Sequence, residues 1–336
     1  MKFSIPSIAR LLGVSKRTLF RRMQEYGLSV HASYSSVTDD ELDSLVRSVK
    51  MRLPHIGYRM MMGELQAMGY RVRWEQVSAS MHRVDAAGIL ERMASVGCVA
   101  RRVYSVKGPL SLVHVDTNHK LIRYGIVIFA GIDGYSRKIM YLGAGNNNKA
   151  STALGFFMSS VEQFGFPLRV ERLWRDVWMA VTSVYYELLH NLEEDCLLDP
   201  SNSLHLFCAQ YIFVERLQKD LDTFKNGWDN HALRTEESLT PNQLWTIGLL
   251  QNPVAAPENT EDIQGHFSLD LDCSRPESGG GVVLPPIQCP LGPEAMAGLR
   301  AAIHPLSPSF DNRRDLFERV LNYIRVHSVT QQNPLS

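Results

Sequence analysis

Three runs decide the fold: Leu112-Val113-His114-Val115-Asp116, then Ile126-Val127-Ile128-Phe129-Ala130-Gly131-Ile132-Asp133, then Lys138-Ile139-Met140-Tyr141-Leu142. Each is short, apolar and rich in β-branched residues, as buried strands are. Gly134-Tyr135-Ser136-Arg137 supplies the turn between the second and third runs. From Ser151 to Phe164 the rhythm changes to a helical one, with Leu154, Phe157, Met158 and Val161 on one face. Three antiparallel strands followed by a helix, with a carboxylate (Asp116) at the end of the first strand, predict an α+β domain over residues 110–250.

Downstream, Trp174, Val177, Trp178, Val181, Tyr185, Leu188 and Leu192 recur at helical steps and predict a long helix. Glu171 falls off that stripe, in the expected first turn, where the helix dipole favours a carboxylate. From the residues alone, an ordinary first-turn acid paired with Arg175, four residues on, is the favoured reading. Residues 251–336 open Pro- and Gly-rich, with Glu277-Ser278-Gly279-Gly280-Gly281 as a linker signal. They close on an amphipathic helix from Asp311 to Val326, with Leu316, Val320, Leu321 and Ile324 on one face.

Upstream of residue 110, two helical modules are expected. In residues 1–35, Ile8, Leu11 and Leu12 form an apolar face, and Gly13 can supply a left-handed cap. Ser15 can then N-cap a second helix in which Leu19, Phe20 and Met23 face inward. Lys16, Arg17, Thr18, Arg21 and Arg22 are left on the outer face, which suits a DNA major groove. Ala9 to Leu28 resembles the Fis-type helix-turn-helix of bacterial regulators. A helical hairpin with a merely solvated basic face is the other reading. In residues 36–100, Leu42, Leu45, Val46, Val49 and Met51 predict one helix, a second runs to Met68 with Gly69 as its stop, and a third runs to Val84. Arg73, Gln76, Ser80 and Arg83 are expected outward, where they could touch DNA, although a structural helical spacer is also open. Met60, Met61 and Met62 read as packing.

Composition is that of a globular chain, with 45% hydrophobic and 21% charged residues. No apolar run approaches the ~18 residues that span a bilayer, and the first ten residues do not resemble a secretory signal. The five cysteines are scattered, with no CxxC pair, so the sequence indicates neither a zinc site nor a disulfide framework. The zero net charge hides an asymmetry. Residues 1–110 hold 17 Lys and Arg against 9 Asp and Glu, and the remainder holds 18 against 26. A basic N-terminal third fits a polyanionic partner.

Val113-His114-Val115-Asp116-Thr117-Asn118-His119-Lys120 resembles the first-acid motif of retroviral-type integrase cores, which have an RNase H-like fold. Ile132-Asp133-Gly134-Tyr135-Ser136-Arg137 resembles the second-strand motif of the same family, and Glu171-Arg172-Leu173-Trp174-Arg175-Asp176-Val177 the start of its third-acid helix. Trp228-Asp229-Asn230-His231-Ala232-Leu233-Arg234-Thr235 and Thr240-Pro241 continue the likeness. It covers residues 40–250 and is narrowest toward the integrase core domain proteins of eukaryotic mobile elements. The second module, from Gly57-Tyr58-Arg59 through Gly69-Tyr70-Arg71-Val72, resembles the winged or helix-turn-helix module that precedes many transposase cores.

This resemblance implies phosphodiester strand transfer by two Mg²⁺ or Mn²⁺ ions held by carboxylates, with Asp116 and Glu171 as the catalytic and metal-binding residues. It also implies a second acid, on a strand between the first helix and the Glu-bearing helix. Here Phe166-Pro167-Leu168-Arg169-Val170 runs straight into Glu171, and no acid lies between Glu162 and Glu171. The core is therefore expected to be internally truncated, through loss in the gene itself or an incomplete gene model, and its chemistry impaired or lost. Asp133 is expected to bond the turn backbone instead. His114 and His119 read as structural, and His231 as part of a fold signature. Three functions stay open: a degenerate integrase that binds DNA, an active recombinase, and a non-enzymatic transcription regulator or interaction protein. A nuclear location follows from the DNA-binding reading, and self-association from the family.

Overall fold

The computed structural model describes residues 3–89, 106–165, 170–171, 177–252, 284, 287–309 and 313–329. At the N-terminus, Ser4 accepts from the Ser7 amide at 3.3 Å and opens α1 (Ile5–Leu11). Gly13, at φ +63°, turns the chain, and the Ser15 hydroxyl accepts the Thr18 amide at 3.1 Å to start α2 (Lys16–Glu25). A reciprocal capping box between Thr38 and Glu41 starts α3 (Asp39–Arg52), which is followed by α4 (Tyr58–Ala67) and α5 (Trp74–Val84). Leu42, Val46 and Val49 of α3 are buried with Met61, Leu65, Val77 and Met81. Met51, expected on that stripe, is 76% exposed.

The sheet holds β1 (Val113–Asn118), β2 (Val127–Asp133), β3 (Ile139–Gly145) and β4 (Val170–Glu171) in the order β3-β2-β1-β4. The first three pair antiparallel; β4 runs parallel to β1, with Val113 beside Val170 and His114 beside Glu171. Parallel neighbours need a crossover, and α6 (Ala150–Phe164) provides it. Glu171 thus stands in a strand, not in the first turn of a helix as the sequence reading expects. The helical stripe behind it marks which residues turn inward but not where the helix begins. Residues 172–176 lie outside the described residues, and a π-helical turn at Trp178–Thr182 leads into α7 (Ser183–Glu194).

The two sheet faces carry different covers. Phe156 of α6 stacks on Phe129 and Tyr141, with centroids 5.3 and 6.4 Å away. The other face presents Ile128, Ile132, Ile139 and Leu142 to the core that contains α8 (Ser203–Asn230). Gln218 on α8 ties itself to β3, accepting from the Ala144 amide at 2.8 Å and donating to the Leu142 carbonyl at 3.1 Å. On its far side α8 meets α4, where Gly63 and Gly227 face each other; a Cβ on Gly63 would collide with the Gly227 carbonyl.

α9 (Pro241–Gln251) follows, then α10 (Pro293–Ala302) and α11 (Arg314–Val329). Leu299, Leu316, Phe317, Val320, Leu321 and Ile324 are buried in the same core as α3, α4 and α8. The C-terminal amphipathic helix is where its periodicity predicts, and its apolar face completes the main core. Among the described residues, no helix is long and apolar enough to cross a membrane.

Candidate functional site

Asp116 sits half-buried on β1, opposite Ala130 of β2, with its Oδ1 accepting the Thr117 amide at 2.9 Å. β4 pairs only with residues 113 and 114, so Asp116 lies two residues beyond that pairing. Nearby, the Tyr141 ring lies against Gly131, where a Cβ would collide with it. Burial and then the charge of Asp116 raise the Tyr141 hydroxyl well above the ordinary tyrosine range. His114 is buried and lines a small cavity with Ile132, Phe224 and Trp228, a packing environment. His119 is exposed after the end of β1.

Asp133 is committed elsewhere. It is fully buried; Oδ1 accepts the Leu110 amide at 2.8 Å, and Oδ2 accepts the Ser136 amide and hydroxyl at 2.7 and 2.6 Å. Burial pushes its carboxyl up, against the pull of those donors. It fastens the β2–β3 turn, as the sequence reading expects.

The Trp228-Asp229-Asn230-His231 motif is likewise a clasp. Buried Asp229 accepts from Lys138 Nζ at 2.8 Å and from the Ile139 amide at 2.9 Å, and Trp228 Nε1 donates to the Arg137 carbonyl at 2.7 Å. Asn242 of α9 accepts a second bond from Lys138, at 2.6 Å. Sequence reasoning recognised the motif but missed Lys138 and Asn242 as its partners. Their only signal was one lysine opening an apolar strand.

The expected DNA-contacting residues divide. Lys16, Arg17, Arg21 and Arg22 are exposed on α2, and no residue of α2 is buried. Arg21 and Arg22 lie within 3.8 and 2.7 Å of Glu25. Thr18 is half-buried and shares a 2.9 Å hydrogen bond with the Ser15 hydroxyl. Phe20, expected inward, is 52% exposed. In the second module Arg73 is exposed and lies 3.3 Å from His31 Nε2, while Gln76 accepts the Arg73 amide at 3.0 Å. Ser80 does not face outward. It is buried and donates to Asp43 Oδ1 at 2.6 Å. Arg83 forks onto the same carboxylate with two 2.8 Å bonds. Position 80 lies three residues after the buried Val77, on the inward face of α5, so burial follows from helix geometry and Asp43 supplies the partner.

Residues 103–171 and 168–258 match the family model of the integrase core domain. The chain contains an integrase core domain. The fold is accordingly α+β, an RNase H-like integrase core with a helical N-terminal region, and its origin lies with integrases and transposases. A comparison with curated proteins finds no match. Integrase cores generally depend on divalent metal. Among the described residues, no three His, Cys, Asp or Glu side chains come together as a metal site would require. Asp116 on β1 and Glu171 on the adjacent β4 are the residues that would hold such an ion.

Proposed function

We propose that this protein binds DNA and descends from an integrase whose strand-transfer chemistry is impaired or lost. The observation that carries the DNA reading is α2. It is a capped helix after a left-handed glycine turn, and its solvent face bears Lys16, Arg17, Arg21 and Arg22. Such a face can enter a major groove and neutralise phosphates. Arg73 adds an exposed cation on the second module. The impairment rests on the acids. Asp133 is spent on a turn, and the family match falls in two pieces that overlap at residues 168–171, in a stretch where no acid lies between Glu162 and Glu171. A nuclear location and self-association belong to the same reading.

Fluorescence anisotropy on duplex DNA tests this. Binding should weaken with salt at about −0.9 logarithmic units per neutralised phosphate. Replacing Arg17, Arg21 and Arg22 together by Ala should lower that slope and weaken binding at least about tenfold. Affinity unchanged in the triple variant removes α2 as the reader. A nicking assay in Mg²⁺ or Mn²⁺ addresses the chemistry. Cleavage by the folded protein that disappears in Asp116→Asn would overturn the claim of impaired catalysis.

A further inference from the structure

A cleft of about 790 Å³ lies away from the sheet, between the end of α3, α7, α8 and the segment that leads into α11. Arg52, Arg216, Lys219, Arg313 and Arg314 line it, against three carboxylates. Two of those acids are already engaged. Asp195 pairs with Arg314 at 2.6 Å, and buried Asp220 accepts the Tyr185 hydroxyl at 2.6 Å while Arg313 lies 3.7 Å away. Arg52 donates to the Thr223 hydroxyl at 3.2 Å, a neutral partner. Arg216 donates through Nη2 to the Ser307 carbonyl, also neutral, and its buried Nε has no hydrogen-bond partner among the described residues. Asp315, whose charge reaches Arg216, accepts a hydrogen bond from Ser309.

Three guanidinium groups from three chain segments therefore surround one shared carboxylate. Burying like charges and an unsatisfied N–H is costly unless a counter-anion joins them. Burial, and next the neighbouring charge of Arg313, draw the Arg216 guanidinium below its ordinary value. The flat guanidinium forks suit phosphate oxygens, which accept two parallel bonds. A phosphate monoester or diphosphate brings two or more negative charges to these cations, and a phosphodiester backbone brings one per phosphate; each presents the paired oxygens that the guanidinium forks fit. The volume falls within the ~300–1,000 Å³ of pockets for small ligands.

We propose that this cleft binds a phosphorylated ligand through Arg52, Arg216 and Arg313, with Lys219 at its mouth. The phosphate can come from a free phosphorylated small molecule or from a nucleic-acid backbone.

The test uses the full chain with inorganic pyrophosphate as the probe, by calorimetric titration and thermal unfolding. Pyrophosphate should bind saturably and raise Tm, because a ligand of the folded state stabilises it, while potassium chloride at matched ionic strength should not. Arg216→Gln should lose about tenfold in affinity, one charge-assisted contact. Lys219→Glu, at an exposed position that leaves packing untouched, should lose a smaller factor and decides the matter if Arg216→Gln does not fold. A short DNA duplex separates the sources. Duplex that displaces pyrophosphate and weakens in both variants points to a backbone phosphate; duplex binding indifferent to both variants, with pyrophosphate binding lost, points to a small molecule. No saturable pyrophosphate binding at millimolar concentration, or equal binding by wild type and both variants, overturns the proposal.

Discussion

Buried carboxylates set the behaviour of this protein residue by residue. Asp133 accepts three hydrogen bonds, two from Ser136 in the β2–β3 turn and one from the Leu110 amide ahead of β1. Asp133→Ala strands two amides and a hydroxyl, and should cost on the order of 3–5 kcal/mol in a denaturant titration; a loss below 1 kcal/mol would deny the clasp. Glu64, 3% exposed between α4 and α8, behaves differently. Burial pushes its carboxyl up to about 7, against opposing pulls from the Gly227 backbone and Arg52. The folded state holds this proton where the unfolded chain has released it. The contribution of Glu64 to stability is therefore complete below the unfolded value near 4.5 and falls as pH rises to about 7. Glu64→Gln should raise Tm relative to wild type at pH 8 and give no such gain at pH 4.5; the same difference at both values would show that the group does not titrate this way.

At the scale of elements, α2 stands on its cap and its turn, because it buries no side chain. Ser15→Ala removes the acceptor for the Thr18 amide, which helix termini value at about 1 kcal/mol. Little of this should appear in the global Tm. It should appear as faster amide exchange in residues 16–25 and weaker DNA binding; an unchanged exchange pattern would mean that the cap is dispensable. The start of α2, the C-terminal end of α4, and β1 to β3 could all be read from the sequence, since capping residues, glycines and apolar period are local signals; the apolar face expected of α2 was not, for Phe20 is exposed. The face of α5 was legible except at Ser80, because a serine reads as polar until its buried partner Asp43 is known. β4 was not legible. Two residues carry no period, and only pairing with Val113 and His114 makes them a strand.

Across the whole molecule, one core joins α3 to α5, a sheet face, α7, α8 and the helices α10 and α11. Ile324 on α11 is fully buried within it. Ile324→Ala should cost about 2–5 kcal/mol and lower a single cooperative transition. If it instead splits off an early transition confined to α11, the C-terminal segment folds as a separate unit. The cleft with its arginines belongs to this scale as well, for Arg52, Arg216 and Arg313 lie 97 to 261 residues apart and meet only through the shared core.

The sequence by itself determined the strand-strand-strand-helix opening, the caps and basic face of α2, the helical period of α11 and the likeness to integrase cores. These depend on residue type and on spacings of a few positions, which local backbone geometry reads directly. Tertiary structure alone decided that Glu171 lies in a strand beside His114, that Ser80 is buried against Asp43, that Lys138 clasps Asp229, and that the C-terminal helices close the core. Each of those outcomes depends on partners tens to hundreds of residues away, and burial together with hydrogen-bond satisfaction selects the partner only after the chain has packed.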